Sequence, residues 1–86
     1  MQTLLIYDIP EDRPRAKIAD ACLDYGLQRI QYSAFLGEIS VNRLDELLQR
    51  IVRVLGGKEG KVEAFPICER DMRLRKDLDQ LRLKKR

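Results

Sequence analysis

Hydrophobic residues near the start of the chain form a short unbroken run, residues 3–7, which ends at Asp8. A run of this length without a polar interruption is typical of a strand that is buried on both faces. We therefore predict a central strand over about residues 2–8, closed by a turn at Ile9 and Pro10.

The segment after this turn has apolar residues at helical spacing. Ile18, Cys22 and Tyr25 fall at positions i, i+4 and i+7, which is the stripe of a helix with one buried face. Asp12 is a suitable N-cap, and Gly26 suits the left-handed position that ends a helix. We therefore predict a first helix from Asp12 to about Tyr25.

Two further segments have the composition of extended chain. Residues 28–39 are too long for one ordinary strand, so we expect two strands with a break near Tyr32 and Ser33, with a single bent strand as the alternative. Residues 61–67 predict another strand. Pro66 lies inside it and cannot donate a hydrogen bond to a strand ladder, which favours an edge position.

A second helix is predicted between these strands. It begins at Ser40 or Asn42, both good N-cap residues, and it ends at Gly56 and Gly57. The complete order is then strand–helix–strand–strand–helix–strand, the ferredoxin-like βαββαβ pattern of an α+β protein. This pattern implies a four-stranded antiparallel sheet with both helices on one face, the first strand in the centre and the last at an edge.

The other face of that sheet would have no helix to cover it. Ile30, Tyr32 and Phe35 are the candidates to line this face. An uncovered sheet face with aromatic residues is typical of a dimer interface or of a surface on which RNA bases stack.

Charge is distributed unevenly along the 86 residues, which are enough for one domain. Residues 1–68, the predicted ferredoxin-like domain, carry 9 basic and 10 acidic side chains, a net charge of −1. Residues 69–86 carry 8 basic and 4 acidic side chains, a net charge of +4. This basic tail is either helical, frayed, or an ordered arm that contacts nucleic-acid phosphates or an acidic protein.

Several classes of protein are disfavoured by composition. No apolar run approaches the roughly 20 residues of a membrane span, and the first residues do not form a signal peptide, so we expect a cytoplasmic protein without membrane contact. The absence of histidine removes the usual imidazole base and most zinc sites. Cys22 and Cys68 do not have metal-ligand spacing, and we expect both to be buried small hydrophobic residues.

Asp8 is the leading candidate for chemistry. A carboxylate at the exit of a buried strand is costly unless it is hydrogen-bonded, capped by a turn, or bound to a cation. Arg13, Arg15 and Lys17 follow closely, and an acid beside a cluster of cations suits a site that processes phosphates. The alternatives are an aspartate that only forms a turn and cations that only decorate a solvated helix start.

Two motifs give the chain a family resemblance. Residues 4–12, with the cations of residues 13–17, closely resemble the start of the CRISPR-associated adaptation protein 2 family. Residues 25–35 resemble that family's glycine–arginine–(valine or isoleucine)–glutamine–x–serine–valine–phenylalanine signature. The match spans roughly residues 3–67 and departs from the family pattern at Ala34, at Lys17 and in the tail.

The resemblance implies a homodimer of ferredoxin-like subunits that acquires CRISPR spacers together with the subunits of the CRISPR integrase. It also implies a metal-dependent nuclease that acts on RNA, DNA or both. Asp8 would be the catalytic acid and the ligand of Mg²⁺ or another divalent cation. The other positions that match the family near this acid are Tyr7, Arg15, Arg29, Ser33 and Phe35.

A two-fold dimer would supply a second copy of Asp8, and Mg²⁺ would relieve the repulsion between two facing carboxylates. The hypothesis is therefore hydrolysis of a phosphodiester bond by a water that the metal ion activates. Arg15 and Arg29 would hold the phosphate, with Arg13 and Lys17 as further nucleic-acid contacts.

The remaining matching residues are expected to support the site. Ser33 could orient a ligand or a water, and Phe35 could stack on a base or simply pack. Tyr7 alternates away from Asp8 along the strand, which favours a place in the core.

Two other functions stay open at this point. The first is a non-catalytic scaffold that holds duplex DNA between integrase subunits through basic patches. The second is a ribonuclease toxin of the virulence-associated D type, which has a similar fold.

Overall fold

Seven regular elements follow one another in residues 1–78, the part of the chain that this computed structural model describes. Six of them give the βαββαβ order that the sequence predicts, and a short third helix follows the last strand. The elements are β1 (Gln2–Asp8), α1 (Asp12–Asp24), β2 (Gln28–Gln31), β3 (Ala34–Glu38), α2 (Val41–Leu55), β4 (Lys61–Ile67) and α3 (Glu69–Met72).

The four strands form one antiparallel sheet in the order β2-β3-β1-β4. β1 pairs with β3 on one side and with β4 on the other, so Leu5 lies opposite both Phe35 and Ala64. The prediction of a central first strand is confirmed, and so is the break near Tyr32 and Ser33, which separates β2 from β3. β4 is an edge strand, which explains why it tolerates Pro66.

The hydrophobic core lies between one sheet face and the two long helices. Leu5 of β1 and Phe35 of β3 are fully buried there, against Ile18 of α1 and Leu47 and Ile51 of α2. This arrangement confirms the prediction of two helices on one face. The second sheet face, which we call the open face, is formed by the side chains that alternate with the core-facing ones along each strand.

The open face changes the interpretation of β1. An unbroken apolar run predicted a strand buried on both sides, but burial alternates along β1. Thr3, Leu5 and Tyr7 are buried under the helices, whereas Leu4 and Ile6 are only partly covered. The expectation was wrong for a single chain, because no long helix packs over the open face.

The helix starts differ in one detail from the sequence prediction. Asp12 was expected to be the N-cap of α1, but the cap is Glu11 and Asp12 is the first helical residue. The Asp12 carboxylate is bound to Arg15 instead. For α2, Ser40 is confirmed as the cap, since its hydroxyl accepts the Arg43 backbone N–H at 3.2 Å.

The end of β4 leads into the basic tail. Cys68 is the N-cap of α3 and is exposed, so the expectation that both cysteines are buried holds for Cys22 and is wrong for Cys68. Leu74 and Leu78 are exposed. Residues 79–86, the rest of the predicted basic tail, lie outside the described residues, and the domain boundary after residue 68 stays a prediction. No helix in the described range is long and apolar enough to span a membrane.

Candidate nucleic-acid site

Asp8 lies at the exposed exit of β1, opposite Lys61 of β4. It follows Leu4 and Ile6 at alternate positions, so its side chain belongs to the open face. Among residues 1–78 its carboxylate has no hydrogen-bond or ion-pair partner. The turn-forming alternative requires hydrogen bonds to nearby backbone amides, and the described structure does not provide them.

Asp8 lines a small open cleft of about 200 Å³ at this end of the sheet. The sequence did not single out two other residues of the cleft, Glu59 and Lys61. Lys61 is the first residue of β4 and Glu59 lies just before that strand, so the pairing register of β4 with β1 brings both to the cleft of Asp8. That register depends on contacts between distant parts of the chain, so the local sequence pattern carries no signal for it.

Gly60 allows the start of β4 to approach the β1 turn closely. A Cβ atom at this position would lie 2.6 Å from Cδ1 of Ile9 and 3.1 Å from Cδ2 of Leu55. Both of these atoms are ends of flexible side chains, which would have to move to accommodate any larger residue. The glycine therefore helps to hold Glu59 and Lys61 next to Asp8.

The donors in this cleft suit a magnesium ion. Within the described residues, no group of three or more histidine, cysteine, aspartate or glutamate side chains is close enough to hold a metal. Asp8 and Glu59 supply two carboxylates. Mg²⁺ is commonly bound by only one or two carboxylates, with waters and substrate phosphate completing the shell. The residues therefore fit a magnesium ion that is held firmly only when the substrate or a second subunit supplies further ligands.

Arg15 is fixed to the turn that follows Asp8. Its guanidinium donates to the backbone carbonyl of Ile9 at 2.7 Å and to that of Pro10 at 3.3 Å, and it pairs with Asp12. The pKa of Arg15 is raised above its ordinary value, chiefly by the neighbouring Tyr32 side chain and to a lesser extent by the charge of Asp12. Arg15 is therefore a permanent cation whose main contacts are with its own chain.

Arg29 and Tyr32 complete a second cleft, of about 450 Å³, between β2 and α1. The Arg29 guanidinium carbon lies 5.1 Å from the ring centre of Phe35 and 5.6 Å from that of Tyr32. The corresponding atom of Arg15 lies 5.8 Å from the Tyr32 ring. Two cations thus converge on one exposed aromatic ring.

The predicted site residues fall into two groups at the same end of the sheet. Asp8 faces the open side, while Arg15 and Arg29 gather around Tyr32 on the helix side. Arg13 and Lys17 are exposed on α1 and do not line either cleft.

The three supporting residues lie under or beside this end of β1. Tyr7 and Phe35 are buried, with ring centres 6.1 Å apart and nearly parallel planes. The core assignment of Tyr7 is confirmed, and Phe35 packs the core. The Ser33 carbonyl accepts the Tyr7 backbone N–H at 3.1 Å, which holds the β2–β3 turn next to Asp8.

Two of the three residues expected on the open face lie elsewhere. Phe35 is opposite Leu5 in the sheet and shares its buried side, and Tyr32 is turned toward α1 in the bend after β2. The expectation was wrong for both, because the face of a side chain depends on a register that the sequence did not define. Ile30 does lie beside Leu36 on the open face.

Taken together, the fold and this sheet end define a small α+β protein with an acid on its central strand that has no partner within residues 1–78, and with cations beside it. Comparison with known proteins identifies the family to which the chain belongs. The family model of the CRISPR associated protein Cas2 matches residues 1–75. The chain belongs to the Cas2 family, as the two sequence motifs indicated.

Individual relatives agree with this assignment. The CRISPR-associated endoribonuclease Cas2 2 of Chloroflexus aurantiacus is 49% identical over 80 residues, 93% of this chain and 94% of the relative. A CRISPR-associated endonuclease Cas1/endonuclease Cas2 fusion of Thermoproteus tenax is 37% identical over 70 residues, 81% of this chain and 26% of the fusion. The crystal structure of Streptococcus pyogenes Cas2 at pH 6.5 has the same fold, with a TM-score of 0.77 at 23% identity over 92% of this chain and 100% of that chain.

Proposed function

We propose that two copies of this chain form a magnesium-dependent endonuclease that hydrolyses phosphodiester bonds of RNA or DNA during CRISPR spacer acquisition in the cytoplasm. The observation that carries the proposal is the Asp8 carboxylate, exposed and unpartnered within residues 1–78 at the exit of the central strand. The endoribonuclease name of a relative with 49% identity supports the same chemistry.

The open face supports a dimer. Leu4 and Ile6 are only partly covered in one chain, and Phe65 of β4 is 45% exposed on the same face. Burial of such a face against a second copy removes apolar surface from water. An isologous contact presents the same residues from both subunits, so a two-fold axis that passes close to the Asp8 end of the open face would bring the two Asp8 side chains together.

The chemistry follows from the residues at the cleft. Asp8, with Glu59 from the same chain or Asp8 from the partner, would hold the ion. When bound, Mg²⁺ supplies Lewis-acid activation of the phosphodiester and of the attacking water. Lys61 lies opposite Asp8 and would offset negative charge on the phosphate. Arg29 lies on the helix side and would contact the strand flanking the scissile bond, while Arg15 holds the turn after Asp8.

Replacement of Asp8 by asparagine tests the catalytic assignment. Asp8→Asn keeps the shape of the side chain and removes the charge that binds the cation, so we expect cleavage of RNA or DNA to fall by roughly 100-fold or more. Asp45→Asn, an equivalent change at an exposed position of α2, is the matched control and should leave the rate unchanged. The measurement is magnesium-dependent cleavage of labelled strands. Equal rates for wild type and Asp8→Asn would remove Asp8 from catalysis.

A scaffold that binds duplex DNA is the second candidate function. The fusion of a Cas1 and a Cas2 endonuclease in one relative favours it, because that chain joins the two proteins permanently. The two carboxylates of the Asp8 cleft are also a sparse metal site. Under this alternative, the Asp8→Asn protein would keep a salt-sensitive affinity for duplex DNA. Integrase subunits would copurify with the wild-type protein and with Asp8→Asn alike.

A further inference from the structure

Tyr32 is an unusual residue for a turn, because a large aromatic ring is left mostly in solvent. Its side chain is 68% exposed in the bend between β2 and β3. The guanidinium carbons of Arg15 and Arg29 lie 5.8 Å and 5.6 Å from the centre of this ring. Two cations therefore lie close to one exposed aromatic ring.

The two arginines differ in what they can still bind. Arg15 donates to two backbone carbonyls and pairs with Asp12, so its hydrogen-bonding groups are largely used inside the chain. The Arg29 guanidinium has no hydrogen bond or ion pair with any group of residues 1–78. It rests on the Phe35 ring at 5.1 Å, which limits its movement without consuming its donors. Arg29 is therefore oriented and available to an anion.

The shape and charge of the cleft beside Tyr32 and Arg29 limit the kinds of ligand that can bind there. It is open, about 450 Å³ in volume, and Ala16 and Ala19 form its floor on the α1 side. Asp20 also lines it and would repel a surface dense in phosphates. A flat, uncharged ring that lies on Tyr32, with one phosphate near Arg29, satisfies these groups. A base within an intact duplex cannot offer its face in this way.

We propose that Tyr32 and Arg29 form a binding site for one unpaired nucleotide, with the base stacked on Tyr32 and its phosphate on Arg29. Arg15 is a positioning residue, because its guanidinium is tied to the turn after Asp8 and its carbon lies 5.8 Å from the centre of the ring. The site rests on the proposed function only in that the protein must bind nucleic acid. It deepens that function by naming the residues that would hold an unpaired nucleotide.

Tyr32 substitutions test the stacking. The probes are a labelled blunt duplex and the same duplex with a single-stranded overhang, in DNA and in RNA versions, measured by fluorescence anisotropy at fixed salt. Tyr32→Leu should weaken binding of the overhang probe by about 5-fold to 100-fold, the range for loss of one base–aromatic stack. Tyr32→Phe retains the ring and should bind within about 2-fold of wild type. Both variants should bind blunt duplex as wild type does.

A spectroscopic signal distinguishes stacking from a change in stability. An overhang that carries 2-aminopurine should lose fluorescence on binding to wild type and to Tyr32→Phe, because stacking quenches this base. The quenching should be absent with Tyr32→Leu at saturating protein concentration.

The role of Arg29 has its own matched control. Arg43 also places its guanidinium over a tyrosine ring, 4.6 Å from the centre of Tyr25, but far from this cleft along α2. Arg29→Ala should reduce the salt dependence of overhang binding by about one phosphate contact, and Arg43→Ala should not.

Two results would overturn the site. Equal loss of overhang and duplex binding by Tyr32→Leu would show a general defect, and unchanged overhang binding would show that the ring is not used. A wrong nuclease assignment would give a different result. Asp8→Asn would then cleave like wild type, while Tyr32→Leu would still weaken overhang binding. Wild-type protein without affinity for any probe would overturn both.

Discussion

Arg15 and Arg29 both lie near the Tyr32 ring, but their side chains make different contacts. Arg15 is bound to the carbonyls of the turn after Asp8, whereas Arg29 is held only by aromatic rings among the described residues. The family resemblance assigned both to phosphate binding. The structure gives Arg15 a clear structural role and leaves Arg29 better suited to a ligand.

The structural role of Arg15 predicts that its replacement affects stability more than replacement of Arg13, another arginine of α1. Arg15→Ala removes the hydrogen bonds that tie the start of α1 to the end of β1, so the thermal midpoint should fall measurably. Arg13→Ala changes an exposed side chain on the same helix and should leave the midpoint within error. Differential scanning calorimetry measures both. Equal midpoints for the two variants would mean that Arg15 does not stabilise the turn.

The candidate site was only partly predictable at the level of single residues. Asp8 could be found because a charge at the end of an apolar run is a local signal. Glu59 and Lys61 could not be found, because about 50 residues separate them from Asp8 and only strand pairing brings them near. Tyr32 was recognised as notable but was placed on the wrong side of the sheet.

At the scale of elements, local patterns predicted the order and most boundaries of the strands and helices. These boundaries carry local signals in the sequence. The signals are the glycines after α1 and α2, Ser40 before α2, and the break at Tyr32 and Ser33. The face of Phe35 is not local, because a shift of one residue in register would move it to the other side of the sheet. The observed register puts it opposite Leu5, in the core.

The place of Phe35 has a measurable consequence. Its side chain is fully buried and stacks with Tyr7, so Phe35→Ala should lower the free energy of unfolding by about 3–5 kcal/mol. Val52→Ala, at a position of α2 that is 66% exposed, should change it by no more than about 0.5 kcal/mol. Urea denaturation at one fixed protein concentration provides the comparison. A small effect of Phe35→Ala would place the ring outside the core.

At the scale of the whole molecule, one chain does not account for all of its apolar surface. Leu4, Ile6 and Phe65 lie on the open face, which neither long helix covers. The sequence pattern of β1 predicted burial on both sides, which is wrong for the single chain and is the expected pattern for a sheet that packs against a second copy. The pattern of β1 therefore agrees with the proposed dimer, although the sequence alone does not identify the partner.

The central claim, that two Asp8 side chains meet across the open face, can be tested directly by cross-linking. We suggest Asp8→Cys in a Cys68→Ser background, since Cys22 is buried and its thiol has a pKa raised to about 12 by that burial. Lys17→Cys, exposed on α1, is the control in the same background.

A short bifunctional thiol reagent should convert the Asp8→Cys protein into a covalent dimer in dilute solution and leave the Lys17→Cys protein as single chains. Denaturing electrophoresis measures the result. Absence of a covalent dimer with Asp8→Cys, or equal yields from both positions, would contradict the claim that the acids face each other.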